Sequence, residues 1–300
     1  MRLHLAALTL VFLNCAGDAA PVKEFDGPSA FKYVEQQMAF GFRIPGTEAH
    51  ERMGDWLDSL LKARADTVVV QAWNHVTRKG DTLRLRNFIA RFNPAASTRV
   101  LYLAHWDTRP RSDAPTSPDS SKPVPGASDG ASGVAVLLGV ADALKARPTT
   151  IGVDLLFTDG EDYGEFADSV DVLIGSTYYA RHPVAASLPV FAVLWDMVGD
   201  KDLKVFPEGY SSTGAPEVVD RVWTIAEELG YSGYFDRTTR HTLIDDHVPL
   251  QRAGLSAIDV VDFDYPYWHT PDDTIDKVSA ASIKIVGDVA VAVLRKVKPQ

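Results

Sequence analysis

The sequence has only one cysteine, Cys15, among its 300 residues. One cysteine cannot form a disulfide within the chain and cannot build a cysteine-rich zinc site. Any bound metal must therefore be held by His, Asp and Glu. Basic residues are also scarce, with 30 Lys and Arg against 40 Asp and Glu and a net charge of −10. Because nucleic-acid binding needs a basic surface that neutralises phosphates, this balance argues against a nucleic-acid partner.

Long hydrophobic runs are missing. Leu3–Leu13 is the apolar run nearest the start of the chain, and it is shorter than the ~20 residues that a membrane-spanning helix needs. After a short basic start, it has the length of a secretory signal sequence. We therefore predict that residues 1–20 are an export signal and that there is no transmembrane span. Either Cys15 becomes a lipid anchor in a bacterial envelope, or cleavage after Ala19 or Ala20 releases a periplasmic or secreted protein.

The remaining sequence has a composition typical of a folded domain, with 46% hydrophobic and 23% charged residues, which excludes disorder of the whole chain. From residue 99 onward, short apolar strand segments alternate with helical segments. This alternation predicts a mostly parallel sheet covered on both faces. Before it, two alternating, β-branched segments predict a hairpin. The predicted fold class is α/β, a single-domain α/β/α sandwich with a central mostly parallel mixed sheet over residues 21–300. The predicted helices are 29–40, 50–63, 132–146, 215–229 and 276–297, and the predicted strands are 67–76, 82–92, 99–104, 151–157, 190–194 and 257–261.

Histidine and acidic residues follow the predicted strands and the long loop at 108–126. In open α/β sheets, ligands bind just beyond the carboxyl ends of the strands. Two imidazoles and several carboxylates at one rim are typical of a metal site. In the adjacent pair, Glu161 and Asp162, one carboxylate can hold a metal while the other takes a proton. The residues at these positions are His105, Asp129, Glu161, Asp162, Asp196 and His269.

The spacing of His105 and Asp107 suggests a second role for a carboxylate. A metal-bound imidazole usually donates its other N–H to a carboxylate, which fixes the ring. We therefore expect Asp107 to orient His105.

Six segments in this order resemble the M28 clan of zinc peptidases, and most of all its glutaminyl-peptide cyclotransferase branch. The resemblance covers about residues 30–298. The last two segments are the more cyclase-like ones. The segments are HWDT (105–108), GASDGASG (126–133), FTDGEDYG (157–164), LWDMVG (194–199), DDHVP (245–249) and YWHTPDD (267–273).

The resemblance implies one zinc ion and a reaction that converts N-terminal glutamine of peptides or proteins to pyroglutamate with release of ammonia. The implied zinc ligands are Asp129, Asp162 and His269. Glu161 is the implied general acid and base. The implied partners of the substrate amine are Asp196 and Asp245, and Trp268 is an implied wall of the substrate pocket.

Two other functions stay open at this stage. In an M28 aminopeptidase, His105 and Asp196 bind a second zinc that Asp129 bridges, and Glu161 activates a water molecule. The other open function is that of a binding protein that keeps the fold but does not catalyse a reaction. The intact Glu161 argues against it, because a pure binding module needs no base beside a ligand.

The sequence departs from the animal cyclases at three places. Asp162 stands where they have Glu, Asp259 stands where they have His, and residues 164–171 contain no Trp. The first change shortens a ligand, and the other two affect the expected substrate pocket.

Several acidic residues also have a structural interpretation. Asp245 and Asp246 are candidate N-terminal caps for a helix over 249–252. Asp272 and Asp273 read as a turn and a helix cap, and Trp268 could belong to the core.

Overall fold

The computed structural model describes residues 24–184 and 188–299. The predicted export signal, with Cys15, lies outside the described residues. The strands are β1 (Thr67–Val76), β2 (Thr82–Phe92), β3 (Arg99–His105), β4 (Gly152–Thr158), β5 (Phe191–Asp196) and β6 (Ala257–Val261). The helices are α1 (Gly27–Ala39), α2 (Glu48–Lys62), α3 (Ala131–Ala146), α4 (Ile174–Arg181), α5 (Gly209–Gly214), α6 (Pro216–Glu228), α7 (His247–Arg252) and α8 (Ala280–Lys296).

The six strands form one mixed sheet in the order β1-β2-β4-β3-β5-β6. Strands β4, β3, β5 and β6 run parallel, whereas the β1–β2 hairpin joins β4 in antiparallel fashion. The four parallel strands are buried throughout. The predicted α/β sandwich with a mostly parallel sheet is therefore confirmed, and four strands end at the same edge.

Helices cover both faces of this sheet. Tyr102 of β3 belongs to a large apolar cluster with α1, α3, α6 and α8. Its strand neighbours Leu101 and Leu103 point to the opposite face, where Tyr179 of α4 and Leu250 of α7 pack. Alternate residues of a strand face opposite sides, so an all-apolar strand needs a layer on each face. Within the described residues, no helix is both long enough and apolar enough to span a membrane.

The largest difference in helix bounds is at the last helix, which was predicted from residue 276. A short 3₁₀ turn, Ile275–Lys277, occupies that position instead. Ser279 is extended, and its side chain accepts a hydrogen bond from the backbone N–H of Ser282. A capping serine of this kind satisfies one of the free donors of the first helical turn. The helix therefore begins at Ala280.

The first turn of α3 packs directly on the ends of two parallel strands. A Cβ atom at Gly133 would lie 2.0 Å from the carbonyl oxygen of Trp195 and 3.0 Å from Cβ of Ala104. This close approach packs α3, which follows Asp129, against β5, which ends at Asp196.

We predict that Gly133→Ala lowers the free energy of unfolding by about 1–3 kcal/mol, because the added methyl overpacks this contact. Gly233→Ala is the matched control, since nothing lies within 4 Å of a Cβ placed there. The measurement is the urea midpoint of both variants. Equal midpoints for the two would show that the helix tolerates displacement from the sheet.

Candidate active site

The carboxyl edge of the sheet brings together side chains that are far apart in sequence. His105 is the last residue of β3 and Asp196 the last of β5. Because these strands are parallel neighbours, His105 Nε2 lies 3.2 Å from Asp196 Oδ1. Glu161 and Asp162 follow β4, and His269 comes after β6.

Two groups of three side chains could each hold a metal ion, and Asp129 belongs to both. Their ligand atoms lie within 4.8 Å of one another in each group. Asp129 Oδ1 is 3.1 Å from His105 Nε2, and Asp129 Oδ2 is 3.7 Å from His269 Nε2. His269 Nε2 is also 3.3 Å from Asp162 Oδ1. The groups are Asp129, Asp162 and His269, and His105, Asp129 and Asp196.

The chemistry of these groups fits a zinc ion. Asp129, Asp162 and Asp196 are at most 5% exposed, and buried carboxylates repel one another unless a cation lies between them. Asp162 Oδ2 is buried and has no hydrogen-bond partner among the described residues. Carboxylate oxygens and imidazole nitrogens are common zinc ligands.

The turn that carries Glu161 and Asp162 is fixed by Asp107. Its two carboxylate oxygens accept the backbone N–H groups of Glu161, at 3.1 Å, and Asp162, at 3.2 Å. Asp107 Oδ1 is 3.7 Å from His105 Nδ1, which is too long for a hydrogen bond. The expectation that Asp107 orients His105 is therefore wrong, since its oxygens are turned toward the backbone of the next strand end.

His269 does have a carboxylate partner, which the sequence did not reveal. Its Nδ1 lies 3.0 Å from Asp113 Oδ1. Burial alone would lower the pKa of His269, but the charge of Asp162 and the hydrogen bond with Asp113 raise it to about 9. A metal must displace this proton, because only the neutral imidazole coordinates.

Glu161 lies beside the two metal-ligand groups. Burial raises the pKa of Glu161 well above its usual value, and the charge of Asp245 adds to this effect. Burial and the charge of Asp196 likewise raise the pKa of Asp245. Carboxyl groups with raised pKa values in a cleft are typical of acid–base catalysis.

A cavity of about 360 Å³ opens over these carboxylates. Trp268 lines it and stacks on His269, with ring centroids 4.0 Å apart. Phe263 meets Trp268 edge-on at 4.9 Å. Phe166 also lines the cavity, so an aromatic side chain is present in the segment that lacks tryptophan. The walls are thus largely apolar, with acidic groups at the base.

Asp273, which the sequence predicts to be a helix cap, has other hydrogen-bond partners. Asp273 accepts hydrogen bonds from the backbone N–H groups of Ser128 and Asp129 and from Tyr265 Oη. Burial raises its pKa to about 7. Asp273 therefore supports the Asp129 loop, and Thr274 is the residue that precedes the 3₁₀ turn.

Asp246 precedes α7, but its side chain does not cap that helix. It accepts hydrogen bonds from the hydroxyl groups of Thr158 and Ser176. Asp259 lies on β6, and both of its carboxylate oxygens are buried without a hydrogen-bond partner among the described residues. Burial raises the pKa of Asp259 well above its usual value, and the charge of Asp245 adds to it.

Comparison with known proteins places this geometry in a family. The model of peptidase family M28 matches residues 87–294. The crystal structure of a leucine aminopeptidase precursor from Bacteroides thetaiotaomicron is 34% identical, with a TM-score of 0.88, over 93% of this chain and 99% of that chain. The Tannerella forsythia glutaminyl cyclase is 37% identical, with a TM-score of 0.86, over 91% of this chain and 99% of that chain.

Among curated sequences, the aminopeptidase YwaD of Bacillus subtilis is 29% identical over 214 residues. These residues are 67% of this chain but only 42% of the relative, so the chain spans less than half of that protein's length.

The sheet and the acidic site at its carboxyl edge thus define a fold shared by M28-type zinc exopeptidases and glutaminyl cyclases. The chain belongs to peptidase family M28. Its relatives carry the names of both activities, which leaves the reaction to be inferred from the site.

We predict that a metal chelator lowers the melting temperature, because a metal held by Asp129, Asp162 and His269 binds the folded protein and not the unfolded chain. A ligand at 100 times its Kd stabilises the folded state by about 2.7 kcal/mol. Calorimetry with and without chelator measures the shift, and added zinc should reverse it. Mg²⁺ is the control, since it prefers an all-oxygen site. Melting that is unaffected by chelator would argue against a resident metal.

Proposed function

We propose that this protein is a zinc-dependent glutaminyl-peptide cyclotransferase, which converts N-terminal glutamine to pyroglutamate and releases ammonia. The observation that carries the proposal is an asymmetry between the two imidazoles. His269 Nδ1 is hydrogen-bonded to Asp113, whereas His105 Nδ1 is buried without a hydrogen-bond partner among the described residues. Metal-bound histidines almost always have such a partner, so the site favours one zinc ion.

In this proposal Asp129, Asp162 and His269 are the zinc ligands. The zinc supplies a Lewis acid for the γ-amide carbonyl of the substrate glutamine. His105 stays outside the coordination sphere and keeps its contacts with Asp129 and Asp196. The number of metal ions matters, because cyclisation uses the substrate's own amine as the nucleophile and needs no activated water.

Glu161 is the proposed proton carrier. The α-amine attacks the γ-carbonyl carbon, a new C–N bond forms, and the bond to the amide nitrogen breaks. Glu161 takes the proton from the attacking amine and delivers it to the departing ammonia, so the carboxylate is regenerated. Its burial at the base of the cavity and its raised pKa suit both transfers.

Asp196 and Asp245 are proposed to hold the substrate amine. Both line the same cavity as Glu161. Asp196 Oδ1 accepts the backbone N–H of Met197 at 2.8 Å, which fixes the carboxylate at the end of β5. A protonated or attacking amine between two carboxylates is oriented without help from a metal.

The cavity limits the substrate to a chain end. Its volume of about 360 Å³ is near the lower end for small-molecule pockets, ~300–1,000 Å³. Trp268, Phe166 and Phe263 supply flat apolar walls against the methylene groups of a glutamine side chain. We therefore propose peptide and protein N-termini as substrates of a catalytic domain over residues 21–300. We also propose that the protein is exported, either with a lipid anchor at Cys15 or without one.

An M28 aminopeptidase is the second candidate. It is favoured by the group of His105, Asp129 and Asp196, whose ligand atoms are close enough to hold a second ion. In that case His105 and Asp196 are ligands, and Glu161 activates a water molecule that attacks the first peptide bond.

Metal content and products separate the two candidates. We expect one zinc per chain by elemental analysis, ammonia release from a Gln-initiated peptide, and no cleavage of a Leu-initiated peptide. The matched control is His105→Ala, which should leave the zinc content unchanged. Two zinc ions per chain, loss of one in His105→Ala, and cleavage of the Leu peptide would replace the cyclase with the aminopeptidase.

Glu161→Gln should retain zinc and lose activity, because glutamine has nearly the same shape but cannot accept the amine proton. General acid–base groups contribute ~10²- to 10⁴-fold in rate. The measurements are turnover and zinc content of the purified variant. Wild-type turnover in the Glu161→Gln variant would show that Glu161 is not the general base, and Asp245 would be the next candidate.

A further inference from the structure

The loop between β3 and α3 carries a buried arginine that contacts two acidic residues. Arg109 is 1% exposed. Its Nη1 donates to Asp162 Oδ1 at 2.7 Å and to the backbone oxygen of Asp162 at 3.1 Å. Its Nε and Nη2 donate to the two carboxylate oxygens of Asp113, at 2.7 Å and 2.5 Å.

Asp113 also contacts a second candidate metal ligand, His269. Its Oδ1 lies 3.0 Å from His269 Nδ1. One guanidinium group therefore joins Asp162, which follows β4, to His269, which follows β6. These two loops are held in register through the side chains of a third loop.

We propose that Arg109 and Asp113 are positioning residues, which hold Asp162 and His269 in the geometry that binds the metal. The inference rests on the metal site of the proposed function. It does not depend on which reaction that site performs.

Arginine suits this role because its planar group donates in two directions at once. One edge binds both oxygens of Asp113, and the remaining nitrogen edge reaches Asp162. Lysine keeps the charge but presents a single flexible ammonium group, so it cannot hold both carboxylates in fixed directions. Asp162 Oδ2 has no hydrogen-bond partner among the described residues and stays free for a metal.

The imidazole of the other group has no comparable support among the described residues. His105 Nδ1 lies 3.7 Å from both Asp107 Oδ1 and Glu161 Oε2. Among the described residues, Nδ1 of His269 is therefore hydrogen-bonded to a carboxylate, whereas Nδ1 of His105 has no hydrogen-bond partner. The Arg109–Asp113 pair thus supports two members of the group with His269 at once.

Arg109→Lys tests the proposal without changing the charge of the site. We expect its zinc dissociation constant, measured by competition with a chromogenic chelator, to rise about 10- to 100-fold, as is typical when a partner of a metal ligand is lost. Asp113→Asn should weaken zinc binding as well. Because the two residues act as one unit, the double variant should bind zinc about as well as the weaker single variant.

Arg99→Lys is the matched control. Arg99 is also buried, and its Nη1 donates to the buried Asp154 at 2.7 Å, but it lies at the opposite end of β3 from His105. This variant should lose thermal stability and keep the zinc affinity of the wild type. A merely structural role for Arg109 would give the same pattern in Arg109→Lys.

Circular dichroism decides whether each variant is folded. Asp113 is 30% exposed, so Asp113→Asn carries the test if Arg109→Lys does not fold. Wild-type zinc affinity in a folded Arg109→Lys or Asp113→Asn overturns the positioning role alone. A wild-type protein that binds no zinc overturns this inference and the proposed function together.

Discussion

The active-site region depends on the burial of many carboxylates at one edge of the sheet. A buried carboxylate loses its hydration, and a second one nearby makes ionisation still less favourable. Each must therefore be paired with hydrogen-bond donors, with a cation or with a proton. The buried carboxylates at this edge belong to Asp107, Asp129, Glu161, Asp162, Asp196, Asp246, Asp259 and Asp273.

The chain meets this requirement in different ways for different residues. Asp107 and Asp273 accept backbone N–H groups, Asp246 accepts two hydroxyl groups, and Asp162 accepts from Arg109. These carboxylates support the loops on which the site is built. Asp129, Glu161 and Asp196 line the cavity with fewer donors of this kind, and Asp162 keeps one carboxylate oxygen without a hydrogen-bond partner among the described residues. These four carboxylates can therefore respond to a metal and a substrate.

Local patterns were enough to predict the sheet and the strand-end residues. An all-apolar segment that is followed by an acidic residue or a histidine can be recognised from sequence as a buried strand with a candidate site residue at its end. Parallel strands bring such ends together. The support of the site was not predictable in this way. Arg109 and Asp162 are 53 residues apart, and Asp113 and His269 are 156 apart, within segments that have no periodicity. Asp107 and Asp273 were misassigned because sequence shows neither the direction of a side chain in a turn nor its distant backbone partners.

The two candidate reactions share the zinc ligands Asp129, Asp162 and His269. They differ in the role of His105 and Asp196. A hydrolase must activate water, and a second ion between these residues serves that purpose. In cyclisation the substrate supplies the amine nucleophile, and the enzyme needs carboxylates that accept its N–H groups. Here His105 Nε2 lies 3.1 Å from Asp129 and 3.2 Å from Asp196, and these distances suit either hydrogen bonds or three ligands around a second ion. Because His105 Nδ1 has no hydrogen-bond partner among the described residues, we propose that His105 keeps these contacts as hydrogen bonds and that Asp196 orients the substrate amine.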